Sequence, residues 1–109
     1  MPNQAVAQAL SPLADMEAHA EAAARLLRSL ANPNRLMLLC ALTEGELSVS
    51  ALNERVPLSQ SALSQHLAVL REEGLVTTRR ESQTIYYSVT PGPALKILDV
   101  LHNTYCAVP

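Results

Sequence analysis

A mainly α-helical domain with one small β-hairpin is the fold that this sequence predicts. Along most of the chain, apolar residues recur at the three- to four-residue spacing that places them on one helix face. Two neighbouring segments, 76–80 and 84–89, are instead rich in the Val, Thr, Ile and Tyr that favour strands. The 109-residue chain is 49% hydrophobic but contains neither Phe nor Trp, so we expect one small core of aliphatic side chains, which suits packed helices.

The N-terminal part predicts a tail followed by a helix. Residues 1–13 contain two prolines and no charged residue, so we expect a flexible tail before a single domain that covers residues 14–107. Asp15 is suited to cap a helix that continues to about Leu30. This first helix is mostly Ala and carries an apolar stripe at helical spacing, formed by Met16, Ala20, Ala23, Leu27 and Leu30.

A second helix is predicted at the centre of the domain. Proline is favoured at the first helical position, so Asn32-Pro33 marks its start, and we expect it to end near Gly45. Its sequence is apolar nearly all round, as a central helix requires, with Leu36, Met37, Leu39, Cys40 and Leu42.

A short helix, a tight turn and a longer helix are predicted next. The short helix covers residues 47–56 and opens at Ser48 or Ser50, and Pro57 forces a break after it. This succession is the helix-turn-helix arrangement, in which the second helix enters the major groove of DNA.

The longer helix has a polar face near its N-terminal end. Ser59 is suited to cap it, and Gly74 can take the left-handed conformation that ends it about four turns later. Leu63, Leu67 and Leu70 form a buried stripe. Amide and hydroxyl side chains can bond base edges in the major groove, so we predict DNA contacts, as opposed to simple solvation, for the residues this stripe turns outward: Gln60, Ser61, Ser64 and Gln65.

The two β-rich segments form a hairpin around the turn 81–83, and this hairpin is expected to be the wing of a winged helix-turn-helix. The segment 91–93, Pro-Gly-Pro, then precedes a last helix with Leu95, Leu98, Leu101 and Tyr105. The predicted order is therefore four helices, two strands and a fifth helix. The apolar first and last helices are natural surfaces for a homodimer, which would present two recognition helices to a two-fold operator.

Positive charge is concentrated in the predicted DNA-binding unit. The net charge is −2, but residues 55–80 hold four Arg against two acidic residues, whereas residues 1–54 hold three Arg against six. Arginines on phosphates add affinity that falls as salt rises. We therefore predict phosphate contacts, with a solvated surface residue as the alternative for each, at Arg55, Arg71, Arg79 and Arg80.

Other function classes find little support in the sequence. No apolar run reaches the roughly 18 residues of a membrane span, and no basic segment precedes an apolar one as in a secretory signal, so a cytoplasmic protein is expected. There is no glycine-rich phosphate loop and no set of nucleophile, base and acid. We expect no catalytic residue, no enzyme activity and no cofactor.

Five segments of the chain form a recognisable combination of motifs: 30–36, 45–52, 58–67, 71–76 and 85–89. Together they resemble ArsR-type winged-helix repressors, over roughly residues 15–107. The resemblance implies a homodimer joined by the first and last helices, which binds double-stranded operator DNA and releases it when an inducer binds. The wing turn Glu81-Ser82-Gln83 departs from the many members that carry a glycine there.

The metal sites of the family are not matched. Its arsenic and cadmium sensors carry a Cys-x-Cys pair before the recognition helix, where this chain has Ser48 and Ser50, and hydroxyls are poor ligands for soft metals. Its zinc sensors use acidic and His ligands on the last helix, of which Asp99 and His102 supply half a site. Because zinc takes three or four ligands, no metal site is expected.

Cys40 and Cys106 are the only two cysteines. In a cytoplasmic protein they are either buried small hydrophobes or reactive thiols. Segments 39–42 (Leu-Cys-Ala-Leu) and 105–106 (Tyr-Cys) resemble a persulfide- and redox-responsive branch of the family, the BigR/SqrR/HlyU-like regulators. This resemblance implies a repressor that releases DNA when reactive sulfur species or another oxidant join the two thiols.

Two alternatives remain open at this point. In one, the protein is a constitutive HlyU-like activator or anti-silencer whose cysteines are incidental. In the other, it is a metal-responsive ArsR-type repressor that uses both thiols together with His102.

Overall fold

The structure is a computed structural model that describes residues 12–106, which form six helices and one three-stranded antiparallel sheet. The fold is mostly helical with a small wing, as predicted. The helices are α1 (Pro12–Glu17), α2 (Ala20–Leu30), α3 (Pro33–Thr43), α4 (Val49–Arg55), α5 (Gln60–Glu72) and α6 (Pro93–Tyr105). The strands are β1 (Leu47–Ser48), β2 (Val76–Glu81) and β3 (Thr84–Val89).

The predicted first helix is two helices in the structure. A turn at residues 18–19 separates α1 from α2, and His19, with φ −122° and ψ 3°, leaves the helical conformation. No Gly or Pro marks this break, and residues 13–20 are all exposed, so no core contact enforces a continuous helix. Asp15 lies in the first turn of α1 and is not its cap. Most of the predicted tail, residues 1–11, lies outside the described residues.

Helix α3 is the central helix, as its sequence predicts. The side chain of Asn32 caps it by accepting hydrogen bonds from the N–H groups of Asn34 (2.9 Å) and Arg35 (3.1 Å). The helix packs against α2, α4, α5, α6 and β3. Met37 and Cys40 are nevertheless exposed, so the side of α3 that carries them lies outside the core.

The helix-turn-helix is formed by α4 and α5. Ser48 caps α4 by accepting from Ala51 N–H at 3.2 Å, and Ser59 caps α5 by accepting from Ala62 N–H at 3.1 Å. Gly74 has φ +73°, the left-handed conformation that ends the recognition helix, so both predicted ends of α5 are confirmed.

The sheet has the strand order β1-β3-β2. Strand β1 was expected to belong to the short helix, but it pairs with β3 instead, placing Leu47 opposite Tyr87 and Ser48 opposite Tyr86. By pairing with β3, the backbone groups of β1 gain hydrogen-bond partners. In the first turn of a helix, their N–H groups would have no partner within the helix. Strands β2 and β3 pair as far as Glu81 and Thr84, so the wing turn has two residues where three were expected.

The core is aliphatic apart from one tyrosine ring. Helix α6 contributes only Ala94 and Leu98 as buried residues. None of the helices formed by residues 12–106 is long and apolar enough to cross a membrane. The buried hydrophobic residues are Leu30, Leu38, Leu39, Ala41, Leu42, Leu52, Val56, Leu63, Leu67, Leu70, Leu75, Val76, Tyr87, Ala94 and Leu98.

Several large apolar side chains of the terminal helices are exposed in the single chain. Leu13 and Met16 of α1 and Leu27 of α2 are 78%, 51% and 56% exposed, and Val100 and Tyr105 of α6 are 61% and 80% exposed. Met16 and Leu27 belong to the stripe predicted for the first helix, so that stripe is largely a surface feature.

Candidate nucleic-acid interface

Helix α5 has one exposed polar face and one apolar face that packs on the core. Its three leucines, Leu63, Leu67 and Leu70, are at most 3% exposed and hold the helix on the core. The four residues predicted to bind DNA are all exposed in the N-terminal half of the helix: Gln60, Ser61, Ser64 and Gln65. Packing therefore sets the position and orientation of the helix, while its amides and hydroxyls are exposed on the surface.

A groove of about 540 Å³ lies between this surface and the tip of the wing. The start of α4 contributes Ser48 and Ser50, whose hydroxyl oxygens are 3.5 Å apart. Gln60 lines the groove from α5, and Gln83 and Thr84 line it from the hairpin. Helix and wing therefore frame one groove, in which these polar side chains alternate with the apolar Val49, Leu63 and Ile85.

Arg35 of α3 contacts both the end of α2 and the recognition helix α5. Its guanidinium donates to the carbonyl oxygens of Ser29 (2.6 Å) and Arg28 (3.1 Å) at the end of α2. It also lies 3.4 Å from Nδ1 of His66, which is half-buried on α5. Sequence analysis missed this contact because the two residues are 31 positions apart.

The four predicted phosphate-binding arginines are in different environments. Arg55 is paired with Glu44 at 2.5 Å, and Arg79 is paired with two carboxylates. Within residues 12–106, the exposed side chains of Arg71 and Arg80 have no carboxylate within ion-pair distance. Arg71 lies in the last turn of α5 and lines a second groove beside Ser64.

Arg79 is at the centre of an ionic cluster on the outer face of the sheet. Its Nε and Nη2 donate to the two carboxylate oxygens of Glu46 at 3.1 and 2.7 Å, and its Nη1 donates to Glu81 at 2.6 Å. The guanidinium also lies 4.6 Å from the centroid of the Tyr86 ring. Hydrogen bonds from Arg79 lower the pKa of Glu46, and the two carboxylates raise the pKa of Arg79.

The two cysteines are both exposed free thiols, and the structure does not place them within disulfide distance of each other. Cys40 opens onto a cleft of about 450 Å³ between α3 and α6, which Asp99 and His102 also line. Partial burial raises the pKa of the Cys40 thiol, and the charge of a Cys106 thiolate raises it further. Among the described residues, no three His, Cys, Asp or Glu side chains are grouped as metal ligands would be.

Comparison with known proteins gives concordant matches. The model of the "Bacterial regulatory protein, arsR family" matches residues 32–78. The chain is 48% identical over 94 residues to the transcriptional activator HlyU of Vibrio cholerae serotype O1, covering 86% of this chain and 87% of the relative. It is 45% identical over 93 residues to the biofilm growth-associated repressor of Xylella fastidiosa, covering 85% and 82%.

Solved structures give the same result. The crystal structure of NolR from Sinorhizobium fredii has a TM-score of 0.79 and 49% identity, and the match covers 86% of this chain and 94% of that one. Reduced HlyU from Vibrio cholerae has a TM-score of 0.78 and 48% identity, with 84% and 97% covered.

Proposed function

The chain belongs to the arsR family of bacterial regulatory proteins, and from that premise we propose that it is a homodimeric repressor that binds operator DNA through α5 and the wing. The observation that carries this proposal is the polar N-terminal half of α5, exposed above three buried leucines. A helix held rigidly by its apolar side is suited to place side chains against base edges.

The side chains along this surface divide into two roles. Gln60 and Gln65 can each make a bidentate pair with adenine in the major groove, which supplies sequence specificity. Arg71 and Arg80 have no ion-pair partner among residues 12–106 and can bind phosphates, which supplies salt-dependent affinity.

Substitutions at Gln65 and Arg71 are expected to separate these roles. Duplexes that the wild type enriches from a random pool serve as the operator probe, and fluorescence anisotropy gives affinity across a salt series. Gln65→Ala is expected to weaken binding to the enriched duplex by about 1–3 kcal/mol while leaving unrelated duplex unchanged. Arg71→Ala is expected to weaken both, and to lower the slope of log affinity against log salt by about 0.9 for each phosphate that is no longer neutralised.

Lys96→Ala is the matched control, because it removes an exposed positive charge from α6, outside this surface. It should change neither affinity nor slope. If no duplex is enriched and binding to every duplex is unmeasurable at low salt, the protein is not a DNA-binding regulator of this kind.

We further propose that Cys40 and Cys106 switch operator binding. Both thiols are exposed, and a link between them would join the central helix α3 to the end of the terminal helix α6. In the chemistry we propose, the Cys40 thiolate takes sulfane sulfur from a persulfide RSSH and releases RS⁻. The Cys106 thiolate then attacks the Cys40 sulfur, which releases HS⁻ and leaves a disulfide, so that the persulfide is the oxidant. If both thiols carry an added sulfur, the same displacement leaves a trisulfide.

Glutathione persulfide is expected to release DNA from the reduced wild type, with intact mass showing the link, and not from Cys40→Ser or Cys106→Ser. Because burial raises the pKa of Cys40, only a small fraction of this thiol is thiolate at neutral pH, and the fraction grows as pH rises. In Cys106→Ser, alkylation by iodoacetamide should therefore accelerate about tenfold per pH unit above neutrality and not level off by about pH 8.5, the usual thiol pKa.

Three results would contradict the switch. Release of DNA from Cys40→Ser by persulfide would exclude the paired mechanism. Binding that no oxidant alters would favour a constitutive regulator, such as an activator like the Vibrio protein to which the chain is 48% identical, and release by zinc or copper(I) alone would favour metal sensing.

A further inference from the structure

We infer that Arg79 positions the wing through Glu46 and does not bind a phosphate itself. The inference rests on the proposed DNA-binding function and assigns a role to an ionic cluster that this function does not use. Positive charge alone suggests that Arg79 is a phosphate contact, but its surroundings favour a different role.

All members of the cluster lie on one face of the sheet. Arg79 of β2 is directly opposite Tyr86 of β3, which in turn is opposite Ser48 of β1. Residues two apart on a strand share a face, so Glu46 extends the row formed by Ser48, and Ser88 lies beside Tyr86. The hydroxyl of Ser88 is 3.5 Å from the Glu46 carboxylate, in agreement with this placement. The Arg79 side chain therefore crosses β3 and reaches the chain that enters β1.

This crossing links the wing to the helix-turn-helix. Glu46 is separated by one residue from Ser48, whose side chain caps α4. Strand β1 is only two residues long, so its ladder offers few hydrogen bonds to hold the hairpin at a fixed angle. A bidentate arginine–carboxylate pair adds a directional contact between the same two parts of the molecule.

The electrostatics of the cluster disfavour a phosphate. All three guanidinium nitrogens of Arg79 already donate to carboxylates, and one positive charge faces the two negative charges of Glu46 and Glu81. An approaching phosphate would meet a net negative site and would have to displace a bidentate partner.

Arg80 is the better phosphate ligand of the pair. Side chains alternate between the faces of a strand, so Arg80 points to the side opposite Arg79 and shares its face with Ile85, its partner across the hairpin. Ile85 lines the groove beside Gln60 of α5. Arg80 is thus placed on the α5 side of the wing, where the proposed DNA would lie.

The substitution Glu46→Gln is expected to change the affinity for DNA in opposite directions under the two possible roles of Arg79. If Arg79 bound phosphate, removing the competing carboxylate would strengthen binding, and Arg79→Lys would keep most of the affinity. If Arg79 positions the wing, Glu46→Gln and Arg79→Lys should both weaken binding to the enriched duplex by about 3- to 10-fold, and their effects should not add in the double variant. The salt slope should stay at the wild-type value in both.

Arg80→Gln is the matched control from the neighbouring position. It should lower the salt slope by about 0.9 for each phosphate that the variant leaves unbound. Tighter binding by Glu46→Gln, or a reduced slope in Arg79→Gln, would overturn the inference.

Amide ¹⁵N relaxation of the free protein provides a readout that needs no DNA. Glu46→Gln and Arg79→Lys should raise the mobility of the wing amides from Arg80 to Ile85 while the helices and the melting temperature stay at wild-type values. An unchanged wing would refute the positioning role even if no duplex binds. Failure of the wild type to bind any duplex, with a loosened wing in the variants, would instead reject the proposed function and leave the positioning role of Arg79 intact.

Discussion

Leu27→Glu is expected to convert the protein to monomers and to remove high-affinity operator binding. Leu27 lies on α2 and is 56% exposed in the single chain. Met16 on the preceding helix α1 is similarly exposed, at 51%. Exposed apolar side chains of this size on a small domain mark a contact surface, and a carboxylate placed in such a contact would be desolvated without a partner. Sedimentation equilibrium would give the mass of the species in solution.

The effect on DNA binding should be large because a dimer holds two half-sites at once. A monomer, which holds only one, should bind a two-fold duplex with an affinity lower by roughly 100- to 10,000-fold. Ala22→Glu on the same helix is the control, since Ala22 is exposed and projects from a different face of α2. A Leu27→Glu protein that remains dimeric would place the dimer interface elsewhere.

Leu70→Ala is expected to destabilise the folded protein by about 2–5 kcal/mol. Leu70 is 0% exposed and belongs to the stripe that holds α5 on the core. The destabilisation combines transfer free energy with the cavity left behind, and it is a large share of the roughly 5–15 kcal/mol by which domains are stable. Urea unfolding at one fixed protein concentration would measure the change, because a dimer's stability depends on concentration.

Met37→Ala is the control for burial. It also removes a long apolar side chain, but Met37 is 54% exposed, so its cost should stay below about 1 kcal/mol. Equal destabilisation at the two positions would show that Leu70 is not anchored in the core as described.

The elements that sequence predicted well are those with local causes. The cap at Ser59, the left-handed Gly74 and the leucine stripe of α5 all depend on residues within one or two turns of each other. The exposed polar residues of α5 followed from the same periodicity. Their role at DNA remains a prediction, because exposure leaves a residue free to bind without showing what it binds.

The features that sequence did not predict depend on distant partners. Strand β1 exists because Leu47 meets Tyr87, 40 positions away, and Arg79 is neutralised by Glu46, 33 positions away. Propensity and periodicity carry no information about such pairs. The number of arginines in the DNA-binding unit was therefore visible in the sequence, whereas the number free of carboxylate partners was not.

The contacts of Arg35 restrict how a protomer can move. One guanidinium holds two carbonyl oxygens at the end of α2 and lies against His66 of α5, while its own backbone begins α3. One side chain therefore contacts the end of α2 and the side of α5 from α3. Sliding α5 alone would break its contact with His66, whereas the two bonds to the α2 carbonyls would remain. In the proposed dimer, a rotation of one whole protomer against the other would leave all the Arg35 contacts intact. Such a rotation would change the spacing between the two recognition helices, and with it the fit to the two half-sites of an operator.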